Sequence, residues 1–589
     1  MGLDLMTSAA FLGVENSLMG RRWVGPDIEV TRAADALAQR TGHPLALCQI
    51  LARLGVHEED VPAYLNPTLR DLMPDPRSLR DMEPAANRLI AAVRGKERIA
   101  IFADYDVDGG SSAALLISWL RHFGLNATLY VPDRIDEGYG PNDAAMAELA
   151  AQHDLIICVD CGTLSHGPIA AAKGADVLVI DHHLAGETLP EAHALVNPNR
   201  QDESGDLAYL CAAAVVFMLL VECGRVLRDT GPAGPNLMNL LDLVALATVA
   251  DVAPLTGLNR AFVRVGLQVM ANRARPGLSQ LCDTARMDCA PEAYHLGYVL
   301  GPRINAGGRI GQADLGARLL STADPNEAEA LAERLEHLNA ERREVEERVR
   351  AEALSQAESR GYDAPLVWAA GEGWHPGVVG IVAARLKEAA NRPAIVIGIE
   401  AGVGKGSGRS VSGIDLGAPI QRLAAEGLLE KGGGHKMAAG LTVAEDKIDA
   451  AMQRLTELLA RQGADTLGVA DLRLDGALMP AAASVELIEQ IETAGPFGAG
   501  APGPRFAFAD CRILHSRRVG ENHLKLSFGD TGGARLDAIA FNAFDGPLGT
   551  ALAAPDAGRF HLAGRLDINT WQGRRSVQLR LEDAAPAGD

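Results

Sequence analysis

The chain contains 589 residues, 48% of them hydrophobic and 22% charged, and it carries a formal net charge of -21 at pH 7. This length exceeds the ~250–300 residues that one hydrophobic core usually supports, so several domains are expected. The acidic balance argues against a protein that coats nucleic acid generally, but it allows an enzyme whose cations are gathered in one groove.

Simple patterns argue against two further classes of protein. No apolar run reaches the ~18 residues that a membrane span requires, and the start, Met1 to Leu5, lacks the basic region of a secretory signal. The 8 cysteines are scattered along the chain, which does not indicate a disulfide framework. Cys158 and Cys161 form a C-x-x-C without a second pair nearby. We therefore expect reduced thiols and a cytoplasmic protein.

Residues 1–97 are predicted to form an N-terminal segment of helices and loops. An amphipathic pattern covers residues 34–54, and prolines from Pro62 to Pro76 interrupt the next stretch. This segment shows no catalytic pattern, so we expect it to have an entry or packing role.

From residue 98 to about residue 196, short apolar runs alternate with helical patterns. Strands are predicted at residues 99–102, 128–131, 155–159 and 177–180, and helices at residues 111–123, 142–152 and 165–173. This spacing is typical of βαβ units, which build parallel sheets with right-handed crossovers. A parallel-sheet domain is therefore expected, with predicted bounds of 98–325.

Three of these strands run directly into acidic or imidazole side chains. Asp104, Asp106 and Asp108 follow the first strand, Asp160 follows the third, and Asp181, His182 and His183 follow the fourth. In open α/β sheets, ligands bind in the crevice beyond the carboxyl ends of the strands. Carboxylates gathered there would repel one another and take up protons. Divalent cations relieve this repulsion, so the pattern predicts a metal site.

Two later stretches are further candidates for function. A hydrophobic helix at residues 240–250 leads into Asp251 and is stopped by Pro254; taken alone, Asp251 could be an ordinary surface acid. Residues 301–309 are predicted to be a turn-rich loop that carries Arg303 and Arg309. The planar guanidinium of arginine can donate two parallel hydrogen bonds to phosphate oxygens. The same loop could also be a plain turn with solvated arginines.

Residues 326–360 are predicted to form one long charged helix with an apolar stripe on one face. At 1.5 Å per residue it would reach roughly 50 Å, so it should join two lobes and leave a groove between them. Its arginines either line that groove or, paired with neighbouring glutamates, form a solvated face. They are Arg342, Arg343, Arg348 and Arg350.

A second α/β block is predicted at residues 361–465. It contains strands at residues 366–369 and 394–397 and a helix at residues 378–389. Two glycine-rich loops are then predicted, at residues 406–410 and 431–435. Exposed backbone amides beside a cation make an anion site. Arg409 is the cation of the first loop, and His435 follows Gly434 at the end of the second, so both loops are candidate anion sites.

Residues 466–589 form a β-rich end that includes a linker at residues 496–500. Apolar and polar residues alternate near Leu526 and Leu579, and the length fits a small barrel of the oligonucleotide-binding (OB) type. Residues 569–573 are predicted to be a hairpin turn that carries Trp571. This side chain could stack on bases, and a core tryptophan is an equal alternative.

Taken in order, these stretches resemble the DHH phosphoesterase superfamily. Similar to its catalytic motifs are Asp104-Tyr-Asp106-Val-Asp108-Gly109, Val159-Asp160-Cys-Gly162, Asp181-His182-His183 and Thr248-Val-Ala-Asp251-Val-Ala-Pro-Leu255. Similar to its associated domain are Trp374-His375-Pro-Gly377, Gly406-Ser407-Gly408-Arg409-Ser410 and Gly433-Gly434-His435. Within the superfamily, the whole order over roughly residues 40–585 resembles bacterial exonucleases that degrade single strands 5′→3′.

The resemblance implies a multidomain α/β fold: a parallel-sheet DHH domain, a long connecting helix, a smaller α/β DHH-associated domain and a C-terminal OB-type barrel. It implies two Mn²⁺ or Mg²⁺ ions on Asp106, Asp108, Asp160, His182 and Asp251, with Asp104 and His183 close by. Positions that hold a 5′-phosphate are matched by Ser407, Arg409 and Arg134. Positions that hold the phosphate near the cut are matched by Arg303 and His435.

The chain departs from the family pattern at a few positions. They are Ala103, Gly110 and Ser111 around the first motif, Cys161 where asparagine is common, and Ala501 where asparagine is usual. None of these changes removes a predicted ligand, so we expect activity to be retained.

The activity implied by the resemblance is two-metal hydrolysis of single-stranded DNA, 5′→3′ to 5′-mononucleotides, in recombination and repair. The implied partners are single-stranded DNA, single-strand-binding protein and a RecQ-type helicase, and a monomer without membrane attachment is expected. Two alternatives remain open. One is a DHH enzyme for very short oligonucleotides, pAp-like nucleotides or pyrophosphate. The long charged helix and the barrel argue against it, because they favour a polymeric substrate. The other is a non-catalytic replication scaffold, against which the complete ligand set argues.

Overall fold

The computed structural model describes residues 9–133, 137–138, 140–230, 233–466, 468, 470–554, 558–571 and 573–588. The chain forms two compact units. The first combines the chain up to Met73, the segment Val252–Arg264 and the chain from Ala470 onwards; the second combines Pro74–Asp251 and Val265–Gly468. Among the described residues, none of the helices has both the length and the apolar composition needed to cross a bilayer.

The second unit contains a five-stranded parallel sheet. Its strands lie in the spatial order Thr128–Tyr130, Ile99–Ala103, Leu155–Val159, Asp176–Ile180 and Ala194–Val196. The four predicted strands are confirmed, and the fifth was not predicted. In chain order the arrangement is 2-1-3-4-5, so the switch point lies where Ile99–Ala103 and Leu155–Val159 end. Both of these strands are buried along their whole length.

Helices make up most of the remainder of this unit. They are Met82–Gly95, Val107–His122, Asp143–Gln152, His166–Ala171, Ala212–Thr230, Leu241–Ala250, Pro276–Thr284, Ala293–His295, Gly301–Ile310, Leu315–Ser321, Pro325–Arg360, Pro376–Ala390, Gly417–Ala425 and Ile448–Ala460, with a π-helical turn at Leu296–Leu300. The helix Gly257–Ala271 is divided between the two units.

The predicted loop at residues 301–309 is wrong, because this stretch is the helix Gly301–Ile310. Pro302 lies in its first turn, where the fixed φ of proline suits a helix. Its glycines serve close packing rather than turning. A Cβ on Gly308 would lie 2.9 Å from the Tyr105 ring, and one on Gly307 would lie 3.0 Å from the Gln312 carbonyl oxygen.

The two predicted glycine-rich loops are also wrong, because both are strands of a second, mixed sheet. Its spatial order is Lys431–His435, Ala438–Ala444, Val403–Arg409, Ala394–Glu400 and Val367–Glu372. Glycine in these strands makes room for neighbouring apolar side chains. A Cβ on Gly408 would lie 2.5 Å from Ile395 Cδ1, and one on Gly406 would lie 2.9 Å from Leu441 Cδ1.

The long helix is confirmed as Pro325–Arg360, 36 residues and roughly 54 Å in length. Leu335 in its first half contacts the helix Gly301–Ile310, and Val349 and Ala353 in its second half pack in the core of the mixed-sheet region. Three of its four candidate arginines pair with glutamates, as the second alternative predicted, but Arg342 is buried rather than solvated. These pairs are Arg342–Glu346 at 2.7 Å, Arg343–Glu336 at 3.7 Å and Arg350–Glu347 at 2.7 Å.

The first unit contains the predicted barrel. Its strands are Gly476–Ala477, Phe506–Val519, His523–Gly529, Arg535–Ala540, Arg559–Trp571 and Arg574–Pro586, and pairing between Phe506–Val519 and Arg559–Trp571 closes it. A separate pair joins Arg21–Val24 to Ala470–Arg473. The unit's helices are Ile28–Thr41, Leu45–Arg53, Val61–Leu65, Leu69–Leu72, Val485–Thr493 and Pro547–Ala553. The predicted amphipathic stretch is thus two helices, because Gly42 adopts a left-handed conformation before Pro44.

The buried Arg260 joins three segments of the first unit. Its guanidinium donates to the backbone oxygens of Ala494 at 2.5 Å, Thr493 at 3.1 Å and Tyr64 at 3.1 Å. It also lies 4.0 Å from the centre of the Tyr64 ring. Burial lowers the pKa of Arg260 to about 10, so it remains charged at neutral pH and binds carbonyl dipoles.

We expect Arg260→Met to destabilise this unit by about 3 kcal/mol or more. The change leaves several buried carbonyls without donors, each at a cost of ~1–3 kcal/mol. Denaturant unfolding followed by circular dichroism measures the effect, with Arg32→Met on an exposed helix position as control. A change within about 0.5 kcal/mol for Arg260→Met, as for ordinary surface substitutions, would contradict this role.

Candidate metal centre

The first group of acids occupies the turn between the strand Ile99–Ala103 and the helix Val107–His122. Asp106 caps this helix, and its carboxylate accepts hydrogen bonds from the backbone N–H of Asp108 at 2.8 Å and of Gly109 at 3.1 Å. A Cβ on Gly109 would lie 2.4 Å from the Asp104 carbonyl oxygen. Only glycine allows a turn this tight, and the turn places Asp104 and Asp106 in one ligand set and Asp108 in another.

Two further carboxylates are fixed in buried positions. Asp108 is 1% exposed and accepts hydrogen bonds from the backbone N–H of Ala212 at 2.7 Å and of Ala213 at 2.8 Å. Asp160 is 2% exposed and has a φ of 60°. A left-handed backbone at a non-glycine residue costs free energy and marks functional sites more often than others.

Asp181 organises the loop that carries the two histidines. One oxygen of its carboxylate accepts from the backbone N–H of His182 at 2.8 Å and from His183 Nδ1 at 2.8 Å. The other accepts from the backbone N–H of Thr163 at 3.0 Å. Both oxygens are therefore engaged by other groups of the protein, so Asp181 positions His183 and is a poorer candidate for a metal ligand.

The structure brings all seven predicted metal-site residues together. Three sets have ligand atoms within 4.8 Å of one another: Asp160, His182 and His183; Asp108, His182 and Asp251; and Asp104, Asp106 and Asp160. His182 Nε2 lies 3.3 Å from Asp160 Oδ1 and 3.8 Å from Asp108 Oδ2, and His182 Nδ1 lies 3.9 Å from Asp251 Oδ2. His182 and Asp160 each belong to two sets, which suits adjacent cations that share ligands.

The cluster holds more carboxylates than its cationic groups can balance. Burial and neighbouring carboxylates raise the pKa of Asp160 well above its usual range, and burial also raises the pKa of Asp108. Burial, with the charges of Asp108 and Asp106, raises the pKa of Asp251 to about 8. Protons would occupy such carboxylates unless cations replaced them.

His183 and Asp181 differ from the other groups of the cluster, because their mutual contact favours the charged form of both side chains. Burial lowers the pKa of His183, but the hydrogen bond and charge of Asp181 outweigh it and raise the pKa to about 9. Burial likewise raises the pKa of Asp181, but His183 reverses the effect and holds that pKa below its usual range. One imidazolium cannot balance the remaining carboxylates.

The donor set fits Mn²⁺ or Mg²⁺. Carboxylate oxygens suit Mg²⁺, and imidazole nitrogen beside carboxylates suits Mn²⁺. None of the three sets contains a cysteine thiolate. The neighbouring Cys158 and Cys161 are buried, and burial raises the pKa of both thiols. Hard divalent cations therefore match this centre better than thiophilic ones.

A second candidate site is a cavity of about 510 Å³ between the helix Pro376–Ala390 and the mixed sheet. Arg309, Lys405, Ser407 and Lys431 line it, together with glycines. Arg409 lies beside Ser407, and its Nη1 donates to Ser407 Oγ at 3.0 Å. Cations, a hydroxyl and a helix N-terminus together favour an anion.

Three of the other predicted phosphate ligands have defined surroundings. Arg303 is held by an ion pair with Glu336, at 2.5 Å, and by the Val299 carbonyl oxygen, at 2.7 Å. Gly434 has a φ of 148° and is followed by the exposed His435, and neither lines the cavity described above. Arg134 and the side chain of Trp571 lie outside the described residues.

Two asparagines near the histidine loop were not predicted from the sequence. Asn197 Nδ2 donates to the His183 carbonyl oxygen at 2.8 Å, and Asn199 Nδ2 donates to the His182 carbonyl oxygen at 2.6 Å. Both follow the edge strand Ala194–Val196, whose carboxyl end faces the same crevice. Recognition of that short strand would have pointed to them.

We expect Asn197→Ala to lower kcat about tenfold, because the His183 backbone loses a hydrogen bond that orients the loop. Partners of metal ligands typically contribute 10–100-fold. Steady-state rates at saturating Mn²⁺ measure the effect, and Asn326→Ala on the exposed start of the long helix is the control. Equal rates for Asn197→Ala and the control would show that the loop does not need this bond.

Comparison with protein families assigns three regions of the chain to known domains. The DHH family N-terminal domain matches residues 98–248, the DHHA1 domain matches residues 363–461, and the RecJ OB domain matches residues 474–583. The fold and the acidic centre thus define a phosphoesterase of the DHH class with an added OB barrel.

Curated relatives match along nearly the whole chain. The single-stranded-DNA-specific exonuclease RecJ of Dickeya dadantii (strain 3937) is 39% identical over 92% of this chain and 96% of that protein. The RecJ of Escherichia coli (strain K12) is 38% identical over 95% of this chain and 98% of that protein. The chain belongs to the RecJ family of single-stranded-DNA-specific exonucleases.

Solved structures confirm the predicted fold class. RecJ from Thermus thermophilus in complex with Mn²⁺ has a TM-score of 0.79 and 29% identity, covering 96% of this chain and 80% of that one. The complex of the same protein with Mg²⁺ has a TM-score of 0.72 and 28% identity, covering 96% and 79%. These structures contain the two kinds of cation that the donor set predicts, which supports the cofactor prediction.

Proposed function

We propose that this protein degrades single-stranded DNA 5′→3′ to 5′-mononucleotides by metal-dependent hydrolysis. The observation that carries this proposal is the carboxylate and histidine cluster at the carboxyl ends of the parallel strands, with His182 shared between two ligand sets. Family membership supplies the substrate class, and the anion cavity supplies a basis for the polarity.

The proposed cofactor is a pair of Mn²⁺ or Mg²⁺ ions. The residues that would hold them are Asp104, Asp106, Asp108, Asp160, His182 and Asp251, with His183 at the edge. When bound, such a pair lowers the pKa of water and stabilises the attacking and leaving oxygens of a phosphodiester. Three features would orient the ligands before the cations bind. They are the tight turn at Gly109, the left-handed backbone of Asp160 and the hydrogen bonds of Asp181 in the histidine loop.

Side chains around the centre would act on the substrate directly. Glu336 holds the Arg303 guanidinium in one orientation, from which it could neutralise charge on nonbridging phosphate oxygens. Asp181 fixes the His183 ring through Nδ1, which leaves the Nε2–H of the protonated ring to donate to a phosphate oxygen. His435, Arg134 and Trp571 stay as further predicted contacts to the strand.

The anion cavity would bind the 5′-phosphate and set the cleavage position. Ser407 and Arg409 face Gly380, where a Cβ would lie 3.1 Å from Ser407 Oγ and 3.2 Å from Arg409 Nη2. The missing side chain leaves room near both groups. A strand anchored there by its terminal phosphate presents its first phosphodiester to the centre, which makes cleavage exonucleolytic.

Several finer features also belong to the proposal. We place the protein in the cytoplasm, as a monomer, in DNA recombination and repair, with single-strand-binding protein and a RecQ-type helicase as partners. The proposed domain bounds are 1–97, 98–325, 326–360, 361–465 and 466–589. They assign the two sheets, the connecting helix and the barrel to separate functions.

The polarity is tested with single strands that carry nuclease-resistant linkages at one end. With Mn²⁺, a 5′ block should stop the release of mononucleotides, and a 3′ block should leave the initial rate unchanged. Duplex and chelator controls accompany both substrates. Degradation from the 3′ end would contradict the polarity. Cleavage of dinucleotides and trinucleotides alone would favour the short-oligonucleotide alternative, and absence of any metal-dependent hydrolysis would favour the scaffold.

A further inference from the structure

Two tyrosines form an exposed stack on the surface of the second unit. Tyr294 is 50% exposed and Tyr298 is 72% exposed, and their ring centres lie 5.2 Å apart at an interplanar angle of 24°. Tyr298 lies in the π-helical turn Leu296–Leu300, whose terminal leucines are fully buried. Tyr294 therefore covers one face of the Tyr298 ring and leaves the other face to solvent.

This turn packs against the helix that leads into the metal centre. A Cβ on Gly297 would lie 3.3 Å from Val249 Cγ1, and one on Gly301 would lie 3.5 Å from Ala250 Cβ. The next residue, Asp251, belongs to the cluster through its contact with His182. The stacked rings are thus carried by a turn that packs against the helix ending at Asp251.

The helix that follows the tyrosines in the chain extends toward the anion cavity. The helix Gly301–Ile310 begins beside the tyrosines and spans ten residues, roughly 15 Å. At its far end Arg309 lines the anion cavity, and its Nη1 donates to the Gly377 carbonyl oxygen at 3.0 Å. The tyrosines and the anion cavity therefore lie toward opposite ends of this helix.

We propose that the Tyr294–Tyr298 stack binds a nucleobase of the retained strand, on the 3′ side of the scissile phosphodiester. The inference rests on the proposed function, in which the 5′-phosphate occupies the anion cavity and the first phosphodiester occupies the centre. The strand then continues toward the tyrosines. Stacking tolerates every base, because each has a π-face.

This arrangement also contributes to strand selectivity. A base can lie on the open face of Tyr298 only if it leaves its own stack, which a paired base in a duplex does at a cost of a few kcal/mol. A single strand does not need to break base pairs to do so. The stack would therefore select single strands at the entrance to the centre, before any chemistry takes place.

The test scans abasic positions through the substrate. Strands with a 5′-phosphate carry one abasic residue at the second, third, fourth, fifth or sixth position, and the KM and kcat for release of the first nucleotide are measured with Mn²⁺. For the unmodified protein, one of these positions should raise KM roughly 5- to 100-fold, as expected for the loss of one stacked base. The other positions should have smaller effects.

Two variants connect that position to the tyrosines. Tyr298→Ala should raise KM for the normal strand by a similar factor and remove the sensitivity to the abasic position. Tyr298→Phe keeps the ring and should keep both the low KM and the sensitivity. Because Tyr298 is exposed, thermal unfolding is expected to be unchanged in both variants.

Several outcomes would overturn the inference and leave the proposed function standing. One is metal-dependent 5′→3′ cleavage without any abasic-sensitive position. Another is an unchanged sensitive position in Tyr298→Ala. A third is a loss in kcat alone, since stacking in the ground state acts on binding. If the unmodified protein instead fails to hydrolyse any strand, the proposed function fails, and the inference fails with it.

Discussion

Replacing Asp160 by asparagine is expected to lower metal-dependent cleavage of single strands by about 10³-fold or more. Asp160 belongs to two of the three ligand sets, so its loss weakens both proposed cation positions. Metal ions contribute several kcal/mol to such reactions, and each 1.36 kcal/mol corresponds to a factor of ten in rate. Initial rates on 5′-phosphorylated strands over a range of Mn²⁺ concentrations measure this loss.

The same variant should raise the stability of the metal-free protein while it lowers activity. This combination distinguishes a metal ligand from a residue that supports the fold. Without cations, Asp160 is a buried carboxylate among like charges, so Asp160→Asn should raise the melting temperature of the metal-free protein. Added Mn²⁺ should stabilise the unmodified protein through mass action and the variant much less. Asp176→Asn, at the exposed start of the next strand, is the control and should keep the stabilisation by Mn²⁺. Near-normal cleavage by Asp160→Asn would end the metal assignment.

Arg409→Ala is expected to lower the preference for a 5′-phosphate over a 5′-hydroxyl roughly 10- to 100-fold. A hydrogen bond to a charged group contributes about 1.5–3 kcal/mol, and Arg409 donates directly to Ser407 in the proposed phosphate pocket. The ratio of kcat/KM for the two substrates isolates this contact, because both substrates share the metal centre.

The control for this prediction is Arg385→Ala. Arg385 lies on the helix Pro376–Ala390, whose first turn lines the cavity, but it is itself exposed and paired with Glu388 at 3.1 Å. It carries the same charge but is not among the residues that line the cavity. An unchanged phosphate preference in Arg409→Ala, or an equal loss in Arg385→Ala, would mean that general charge rather than a pocket selects the 5′ end.

Much of the metal centre could be predicted from the sequence, because parallel strands impose strict geometry. Apolar runs that end in Asp104, Asp160 and Asp181 must deliver these residues to one edge of one sheet. Asp251 could not be placed in this way. It follows a helix, and the sequence alone does not show where a helix end packs, although the resemblance to a known family did.

The glycine-rich stretches show where sequence reasoning fails. The sequence pattern predicts loops around Gly308 and Gly408, because glycine is frequent in turns. In the structure they leave space for the Tyr105 ring and the Ile395 side chain inside a helix and a strand. The difference depends on long-range packing, which has no local signature. For the same reason, no local pattern identifies Asn197 and Asn199, since their partners are backbone oxygens of a distant loop.

The measurement that tests the central claim most directly is an anomalous difference map from crystals grown with Mn²⁺. We predict two neighbouring peaks about 3.5–4 Å apart. One should lie among Asp104, Asp106 and Asp160, the other should lie among Asp108, His182 and Asp251, and Asp160→Asn crystals should lose at least one of them. A map without a peak beside His182 would contradict the two-cation centre.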